Sequence, residues 1–243
     1  MNQTRPLFQS LFEDNLHLLS NPACQQCDPD IKYPLMPWLV GEKFSSTQER
    51  LVFVGKPHRG IPGEILPSGI LDPTADVEGD KGLWNEGWAY WSYTREIAER
   101  LYGDDAFESI SFTNLVKCTN TDGPDATTWT MARNCIVELG VIWREFEVIK
   151  PLTAVFYTYS LYRDLLLDIP IAIQDTITEI TSPEHRVTCG QKTLGWWERA
   201  CATSWARRMR VLVIGHPERM KRDDYTNLLV DWIRPGTPTD GDF

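Results

Sequence analysis

Four of the six cysteines have a spacing that is typical of a metal site. Cys24 and Cys27 form a C-x2-C pair, and Cys118 and Cys135 follow much later in the chain, with sixteen residues between them. One tight turn would supply two sulfurs and the fold would bring the other two. Four thiolates select zinc or an iron–sulfur cluster over hard cations. The cysteines by themselves leave both of these open.

A second group of polar residues follows short apolar runs that we predict to be buried parallel strands. Two of the expected strands end in polar loops, Gly55 to Gly60 and His216 to Met220, and a third ends at Asn114. Open α/β sheets bind ligands at the carboxyl ends of their strands. The sequence therefore predicts a site at this edge. The four predicted strands cover residues 50–55, 109–113, 152–157 and 210–215.

Helical segments alternate with these strands, which predicts an α/β fold. We expect a three-layer sandwich with a central, mostly parallel, four-stranded sheet. One domain is predicted over residues 1–234, with a short docked helix near its start and a disordered tail over 235–243. The stretch from Gly60 to Trp88 is predicted to be a long functional loop. The predicted helices cover residues 93–101, 129–148, 161–167 and 225–233.

The composition is that of a soluble globular protein, with 42% hydrophobic and 24% charged residues. We find neither a secretory signal nor an apolar run long enough to span a membrane, so we expect a cytoplasmic protein. Metal ligation is then a better interpretation of the cysteines than disulfides, and Cys189 and Cys201 are interpreted as ordinary thiols. The net charge of −10 weighs against nucleic acid as a partner. Basic clusters at 199–210 and 219–222 leave a local basic surface open.

The order and spacing of five motifs resemble the iron–sulfur branch of the uracil-DNA glycosylase superfamily, its bacterial and archaeal families four and five. Each motif is weak alone, but two of them coincide with the cysteines and all five have the expected order. They are the C-x2-C pair, Val54-Gly55-Lys56-Pro57, Thr113 to Cys118, Cys135 followed by a Lys150-Pro151 strand, and Gly215-His216-Pro217.

The resemblance implies a monofunctional DNA glycosylase, which flips a pyrimidine out of DNA and hydrolyses its N-glycosidic bond. The four cysteines would hold a structural [4Fe–4S] cluster, remote from the chemistry. Structural zinc is the alternative, although zinc sites usually pair two short cysteine knuckles. DNA is the expected partner, with a monomeric enzyme near the nucleoid of a prokaryote or in a phage context.

The resemblance also assigns roles to residues around the base. His216 would donate a hydrogen bond to the pyrimidine O2, and Asn114 would bind the hydrogen-bonding edge of the base. Gly55 and Pro57 would shape the floor of the pocket. An aromatic side chain is expected under the base, with Trp88 nearest by sequence and Trp84, Tyr90 and Trp91 as its neighbours.

Contacts with DNA would come from the loop after the last strand and from the loop after Gly55. In the first loop, Pro217, Arg219 and Met220 would form the wedge that enters the duplex where the base has left. Lys221 in that loop and Arg59 in the other would add cationic contacts.

One motif departs from the resemblance. Lys56 stands where family four has a catalytic Glu, and a cation cannot activate water, although it could stabilise the leaving base. The long loop offers Glu64, Asp72, Asp76 and Glu78 instead, with Glu64 closest to the motif.

We expect Lys56 and Glu64 to contribute to catalysis and the substrate to be a bulky or modified pyrimidine, such as a hypermodified phage base in a phage-defence role. Ordinary repair of uracil or other deaminated bases and a non-catalytic lesion sensor are the alternatives. A metal-dependent hydrolase acting on small nucleotides lacks the required histidine or carboxylate cluster, because the four histidines are scattered.

Overall fold

The computed structural model describes residues 7, 10–11, 21–25, 27, 39–56, 64–65, 71–72, 82–118, 127–159, 180–181, 185–201, 203–206 and 208–234 of the chain. The strands are β1 (Leu39–Val40), β2 (Leu51–Gly55), β3 (Glu64–Ile65), β4 (Leu71–Asp72), β5 (Ser111–Asn114), β6 (Thr153–Phe156), β7 (Ile180–Thr181), β8 (His185–Cys189), β9 (Lys192–Cys201) and β10 (Met209–Ile214). The helices are α1 (Pro22–Gln25), α2 (Ala89–Tyr102), α3 (Ala106–Ser109), α4 (Trp129–Arg133), α5 (Val141–Ile149) and α6 (Arg222–Ile233). Short 3-10 turns cover Phe44–Ser46, Gly82–Asn85 and Gly103–Asp105.

Four adjacent parallel strands form the centre of the main sheet, in the order β5-β2-β6-β10. These are the four strands that the apolar runs predict. Every residue of β2, β5 and β6 is buried, as expected for parallel strands that are covered on both faces.

The whole sheet is larger and more mixed than predicted. β1 pairs antiparallel with β5 at one side, and β9 pairs antiparallel with β10 at the other. β7 and β8 both pair antiparallel with β9, so the sheet has eight strands. The prediction of a four-stranded, mostly parallel sheet is therefore wrong. The added strands are either two residues long or alternate buried and exposed positions, so none forms an apolar run.

Helices pack on both faces of this sheet, as an α/β fold requires. Leu51 and Phe53 of β2 contribute to a core that also includes side chains of α2 and α6. Val52 and Val54 point to the opposite core, shared with α4 and α5. This alternation along one strand shows that the two cores are separated by the sheet.

The helix predicted from Trp129 to Val148 is interrupted. α4 continues into a π-helical turn, Asn134–Glu138, in which Leu139 N–H donates to Asn134 O at 2.9 Å. Gly140 then adopts a left-handed conformation, with φ of 57°, and α5 begins after it. Apolar periodicity continues through the break because both helices face the same core, so the pattern alone does not reveal it.

The other helix predictions have different outcomes. α2 and α6 confirm the predicted helices at 93–101 and 225–233, and both begin earlier than predicted. The predicted helix at 161–167 and tail at 235–243, and most of the predicted N-terminal helix, lie outside the described residues. Among the described helices, none is long and apolar enough to cross a bilayer.

Candidate functional site

The carboxyl ends of the parallel strands meet at one edge of the sheet. Gly55 at the end of β2 pairs in register with Asn114 at the end of β5. Tyr157, just after β6, donates its N–H to Val54 O at 3.0 Å. The chain leaves β2 for β5 on one side and reaches β6 on the other, so the strand order reverses here. Doubly wound sheets bind ligands in the crevice at such a switch point.

Asn114 lies directly against Gly55. A Cβ on Gly55 would stand 2.7 Å from Asn114 Oδ1 and 2.9 Å from Tyr90 Cε2, both closer than real Cβ contacts. The absence of a side chain on Gly55 therefore gives the Asn114 amide and the Tyr90 ring their positions. Asn114 is only 5% exposed, which makes it a buried polar group at the floor of the edge.

Tyr90 and Tyr157 form an aromatic layer next to this pair. Their rings meet edge to face, with centroids 5.6 Å apart, and Tyr90 OH donates to Phe53 O at 3.3 Å. Thr94 Oγ1 donates to Tyr157 OH at 3.3 Å. Burial raises the pKa of both phenols, so both stay neutral at physiological pH. From the sequence, Tyr90 is expected only as a neighbour of Trp88, and no role is predicted for Tyr157.

His216 reaches the same edge from the end of β10. Its ring meets the Tyr157 ring edge to face at 6.5 Å, and Glu218 N–H donates to His216 Nδ1 at 3.2 Å. A neutral imidazole whose Nδ1 accepts a hydrogen bond carries its proton on Nε2. His216 is therefore held in the tautomer that can donate from Nε2.

The edge brings an amide, an imidazole and aromatic rings together. Asn114 and His216 follow strands that are three positions apart in the sheet, so their backbones are separated by about 14 Å at the usual strand spacing. Gly55 and Tyr157 lie between them. The amide and the imidazole therefore lie at the two ends of this four-strand edge, with the aromatic rings between them.

The loop after His216 is fastened to α2. Tyr93 OH donates to Met220 O at 2.7 Å, and the Arg222 guanidinium lies 4.3 Å above the Tyr93 ring. Arg222 also donates to Ser92 O at 3.1 Å. These contacts hold the loop at the amino end of α2.

Within this loop the predicted DNA-binding residues have different environments. Pro217 is buried and Met220 packs partly against the core of α2 and α6. The side chain of Arg219 is 77% exposed, on a residue with φ of 65°. Lys221 pairs with Asp224 at 3.0 Å. The structure thus presents Arg219 as the most exposed of the four at the tip of the loop.

The two predicted tryptophans lie in different places. Trp84 is 5% exposed and contacts Phe107 and Phe112, at centroid distances of 5.4 and 5.6 Å. It borders a cavity of about 360 Å³ with Glu99 and Gly103, towards the far end of α2. Trp88 precedes α2 at the sheet edge and is 49% exposed. Of the two, Trp84 is buried and Trp88 is exposed, two residues before Tyr90 in the sequence.

The remaining predicted residues follow β2 in the sequence. Lys56 follows Gly55 directly and is half-buried. Glu64 lies in β3, where it pairs in register with Asp72 of β4. Pro57 and Arg59 lie outside the described residues.

The four cysteines of the predicted metal site lie in three segments: Cys24 and Cys27 at α1, Cys118 after β5, and Cys135 in the π-helical turn. Cys24 and Cys27 flank a turn at α1, where Cys27 N–H donates to Cys24 O at 3.0 Å. Asn134 Nδ2 donates to Ala23 O at 2.8 Å and to Cys27 Sγ at 3.0 Å, which joins this turn to the π-helical turn. Cys135 is the next residue.

Electrostatic coupling links the four sulfurs. Burial, Cys135 and Cys27 raise the pKa of the Cys24 thiol to about 12. Burial and the other three cysteines raise the pKa of Cys118, and burial raises that of Cys135 to about 11. In the described part of the chain, however, no three His, Cys, Asp or Glu side chains are arranged closely enough to hold a metal ion. The sulfurs are therefore neighbours in an open arrangement.

A buried ion pair connects this region with the end of β5. Lys117 Nζ lies 2.6 Å from Glu145 Oε2 and 2.7 Å from Thr113 Oγ1, and both charged side chains are 1% exposed. Thr113 Oγ1 donates to Glu145 Oε2 at 2.9 Å. Burial lowers the pKa of Lys117 and raises that of Glu145, because desolvation opposes both charges. Thr113 precedes Asn114 and Lys117 precedes Cys118, so the pair is built between the two candidate sites.

Two arginines of the basic cluster predicted at 199–210, Arg199 and Arg210, do not line the carboxyl edge. Arg210 begins the part of β10 that pairs with β6, at the opposite edge, and donates to Trp232 O at 2.5 Å. Arg199 is 8% exposed and lies 5.1 Å from the Trp197 ring. Both arginines therefore have structural contacts.

The two other cysteines agree with their interpretation as ordinary thiols. Cys189 and Cys201 are 1% and 4% exposed, one in each core. None of the six cysteines forms a disulfide.

Comparison with protein-family profiles finds no match, and comparison with curated proteins finds no significant match either.

Proposed function

We propose that this protein is a DNA glycosylase that flips a pyrimidine into the carboxyl edge of the sheet and hydrolyses its N-glycosidic bond. The observation that carries this proposal is the position of Asn114 against Gly55, with His216 fixed as an Nε2 donor at the same edge. The resemblance of the motifs to iron–sulfur uracil-DNA glycosylases supports it, because those motifs supply these same three residues.

The chemistry needs a hydrogen-bond donor at the oxygen where negative charge develops. Water adds to C1′ as the bond to the base nitrogen breaks, the electron pair leaves with the base, and the proton lost by the water neutralises the departing base. His216 Nε2–H stabilises that charge at the base oxygen, and Asn114 fixes the base edge. Lys56 adds positive potential for the leaving base. Glu64 is the proposed carboxylate that orients the water.

The proposed substrate is a bulky or modified pyrimidine, and phage defence is the proposed setting. Lys56 in place of a catalytic acid and the long segment between β2 and α2 support this over plain uracil. Exposed Trp88 at the start of α2 offers a face for the added group. Repair of uracil or other deaminated bases is the second candidate, supported by the same Asn114 and His216.

The proposed cofactor is a structural [4Fe–4S] cluster on the four cysteines, with zinc as the alternative. Their mutual electrostatic coupling and the contact between their two turns support a shared site. When bound, the cluster would supply structural cross-linking rather than chemistry at the base.

A base-release assay tests this proposal. The protein, purified without oxygen, is incubated with uracil-containing duplex DNA and with phage DNA carrying modified cytosines, and free bases are identified by mass spectrometry. We expect release of a modified base and little uracil, and both activities should fall in an Asn114→Ala variant.

The other outcomes discriminate between the alternatives. Release of uracil alone would make the protein a repair glycosylase. Tight binding of DNA without release from either substrate would contradict the enzyme and favour a lesion sensor.

A further inference from the structure

The hairpin of β8 and β9 projects past the carboxyl edge of the sheet. β9 pairs with β10 from Trp196, opposite Ile214, to Cys201. Its first four residues, 192–195, continue beyond the end of β10 and pair with β8 instead. At about 3.3 Å per residue, this overhang extends roughly 13 Å beyond the strand end. The hairpin therefore forms a wall beside the loop that carries His216.

Close contacts fix this wall at its base. A Cβ on Gly195 would lie 2.3 Å from Tyr159 Cε1, so only glycine permits the observed approach of the ring. A Cβ on Gly215 would lie 2.6 Å from Leu194 Cδ2, which places the buried Leu194 against the residue before His216.

The tip of the hairpin is fixed to α6. Gly190 adopts φ of 67°, and its N–H donates to Asp224 Oδ2 at 3.2 Å. Asp224 also pairs with Lys221 of the His216 loop. Hairpin, loop and helix thus form one continuous surface.

The charge of the hairpin differs from that of the rest of the protein. The chain contains 34 acidic residues among 243, yet none lies between His185 and Trp197. Arg186 and Lys192 are both exposed on it. They pair in register with Gly195 and Cys189, so they project from opposite faces of the hairpin. Arg219 is exposed on the neighbouring loop. A projecting hairpin whose only charged side chains are cations can attract a polyanion to an acidic protein. The exposed hairpin residues are Arg186, Thr188, Gly190, Gln191, Lys192 and Thr193.

We propose that the β8–β9 hairpin binds the phosphate backbone of DNA next to the flipped nucleotide, through Arg186 and Lys192. The proposal rests on the proposed function, which places DNA at the His216 edge. The hairpin holds the DNA strand while the loop that carries Arg219 enters the duplex. Phosphate contacts of this kind position DNA without reading its sequence.

The test measures affinity for an undamaged DNA duplex by fluorescence anisotropy over a series of salt concentrations. Arg186→Glu and Lys192→Glu are compared with Arg144→Glu, an equal charge change at an exposed position on α5, which packs on the opposite face of the sheet. We expect each hairpin variant to bind about tenfold more weakly, with a salt slope lower by about 0.9 per lost phosphate contact. Arg144→Glu should bind like the unmodified protein. Arg186→Gln and Lys192→Gln provide milder changes if a reversal affects folding.

Several outcomes would overturn the proposal. If the hairpin variants bind DNA with the same affinity as Arg144→Glu, the hairpin is not part of the DNA interface, even if base release is intact. If the protein binds a matched RNA duplex more tightly than the DNA duplex, RNA rather than DNA is its partner. Hairpin-dependent DNA binding without base release from any substrate would support this inference and contradict the proposed glycosylase activity.

Discussion

At the residue scale, Gly55 gives the candidate site its shape. Its missing side chain leaves the volume that Asn114 and Tyr90 occupy, and both are held there by buried contacts. A polar amide buried at the floor of an edge has little freedom to change its rotamer. It can therefore present its donors and acceptor to a ligand without a further loss of conformational entropy.

We predict that Gly55→Ala reduces base release by at least about 100-fold, because the new Cβ must displace Asn114 or Tyr90. Overpacking of this kind costs about 1–3 kcal/mol of stability. Single-turnover base release and thermal unfolding measure the two effects. Gly87→Ala is the control, since a Cβ there meets nothing within 4 Å. Equal activity of both variants would show that the Asn114 position is not needed.

Two substitutions of His216 test the roles of its two ring nitrogens separately. In His216→Asn the amide oxygen can still accept from Glu218 N–H, but the donor at Nε2 is lost, so we expect base release to fall about 100- to 1,000-fold. His216→Gln places an amide N–H near the Nε2 position and should retain more activity. The measurement is single-turnover base release at saturating enzyme. Equal loss in both variants would argue against a donor role for Nε2.

At the element scale, a buried ion pair holds the turn after β5. Lys117 and Thr113 both donate to Glu145 Oε2 between the sheet and α5, while the buried Glu145 Oε1 has no hydrogen-bond partner among the described residues. A buried ion pair contributes little net stability relative to apolar residues of similar volume, but removal of one partner leaves an uncompensated charge. The ion pair therefore sets the position of the turn after β5 and adds little net stability.

We predict that Lys117→Met lowers the free energy of unfolding by about 3–5 kcal/mol. The triple change Lys117→Met, Glu145→Leu, Thr113→Val should recover most of that loss, because no buried polar group remains unpaired. Denaturation with urea gives both values. A triple variant as unstable as the single one would show that the ion pair itself stabilises the fold.

At the scale of the whole molecule, the cysteine region joins the N-terminal segment to the sheet. Contacts from α1 to the π-helical turn are made by Asn134, while Cys118 comes from the turn after β5. A metal group bound by all four sulfurs would cross-link three separate parts of the chain, and its binding free energy would add to folding stability.

We therefore predict that Cys24→Ser and Cys135→Ser each lose bound metal and lower the melting temperature. Cys201→Ala, which removes a buried thiol outside the predicted site, should keep the metal. Elemental analysis for iron and zinc, with an absorption spectrum near ~400 nm for a cluster, checks both the loss and the identity of the group. Full metal content in Cys135→Ser would exclude the four-thiolate site.

The sequence by itself determined the strands of the central sheet and the edge at which its polar residues meet. Continuous apolar runs are required of strands buried on both faces, so β2, β5, β6 and β10 were visible as patterns. Parallel strands end at the same edge of a sheet, so the sequence predicts Gly55 and Asn114 at one edge, while their register is seen only in the structure.

Tertiary structure decided what depends on contacts between distant segments. The β8–β9 hairpin is half-exposed and has no apolar run, so its place beside His216 arises only from pairing with β10. Trp84 and Tyr90 are both aromatic residues near one helix start, yet packing buries the first near Phe107 and sets the second against Gly55. Local patterns determine which residues are buried along one element, while the choice of neighbour depends on how the elements pack.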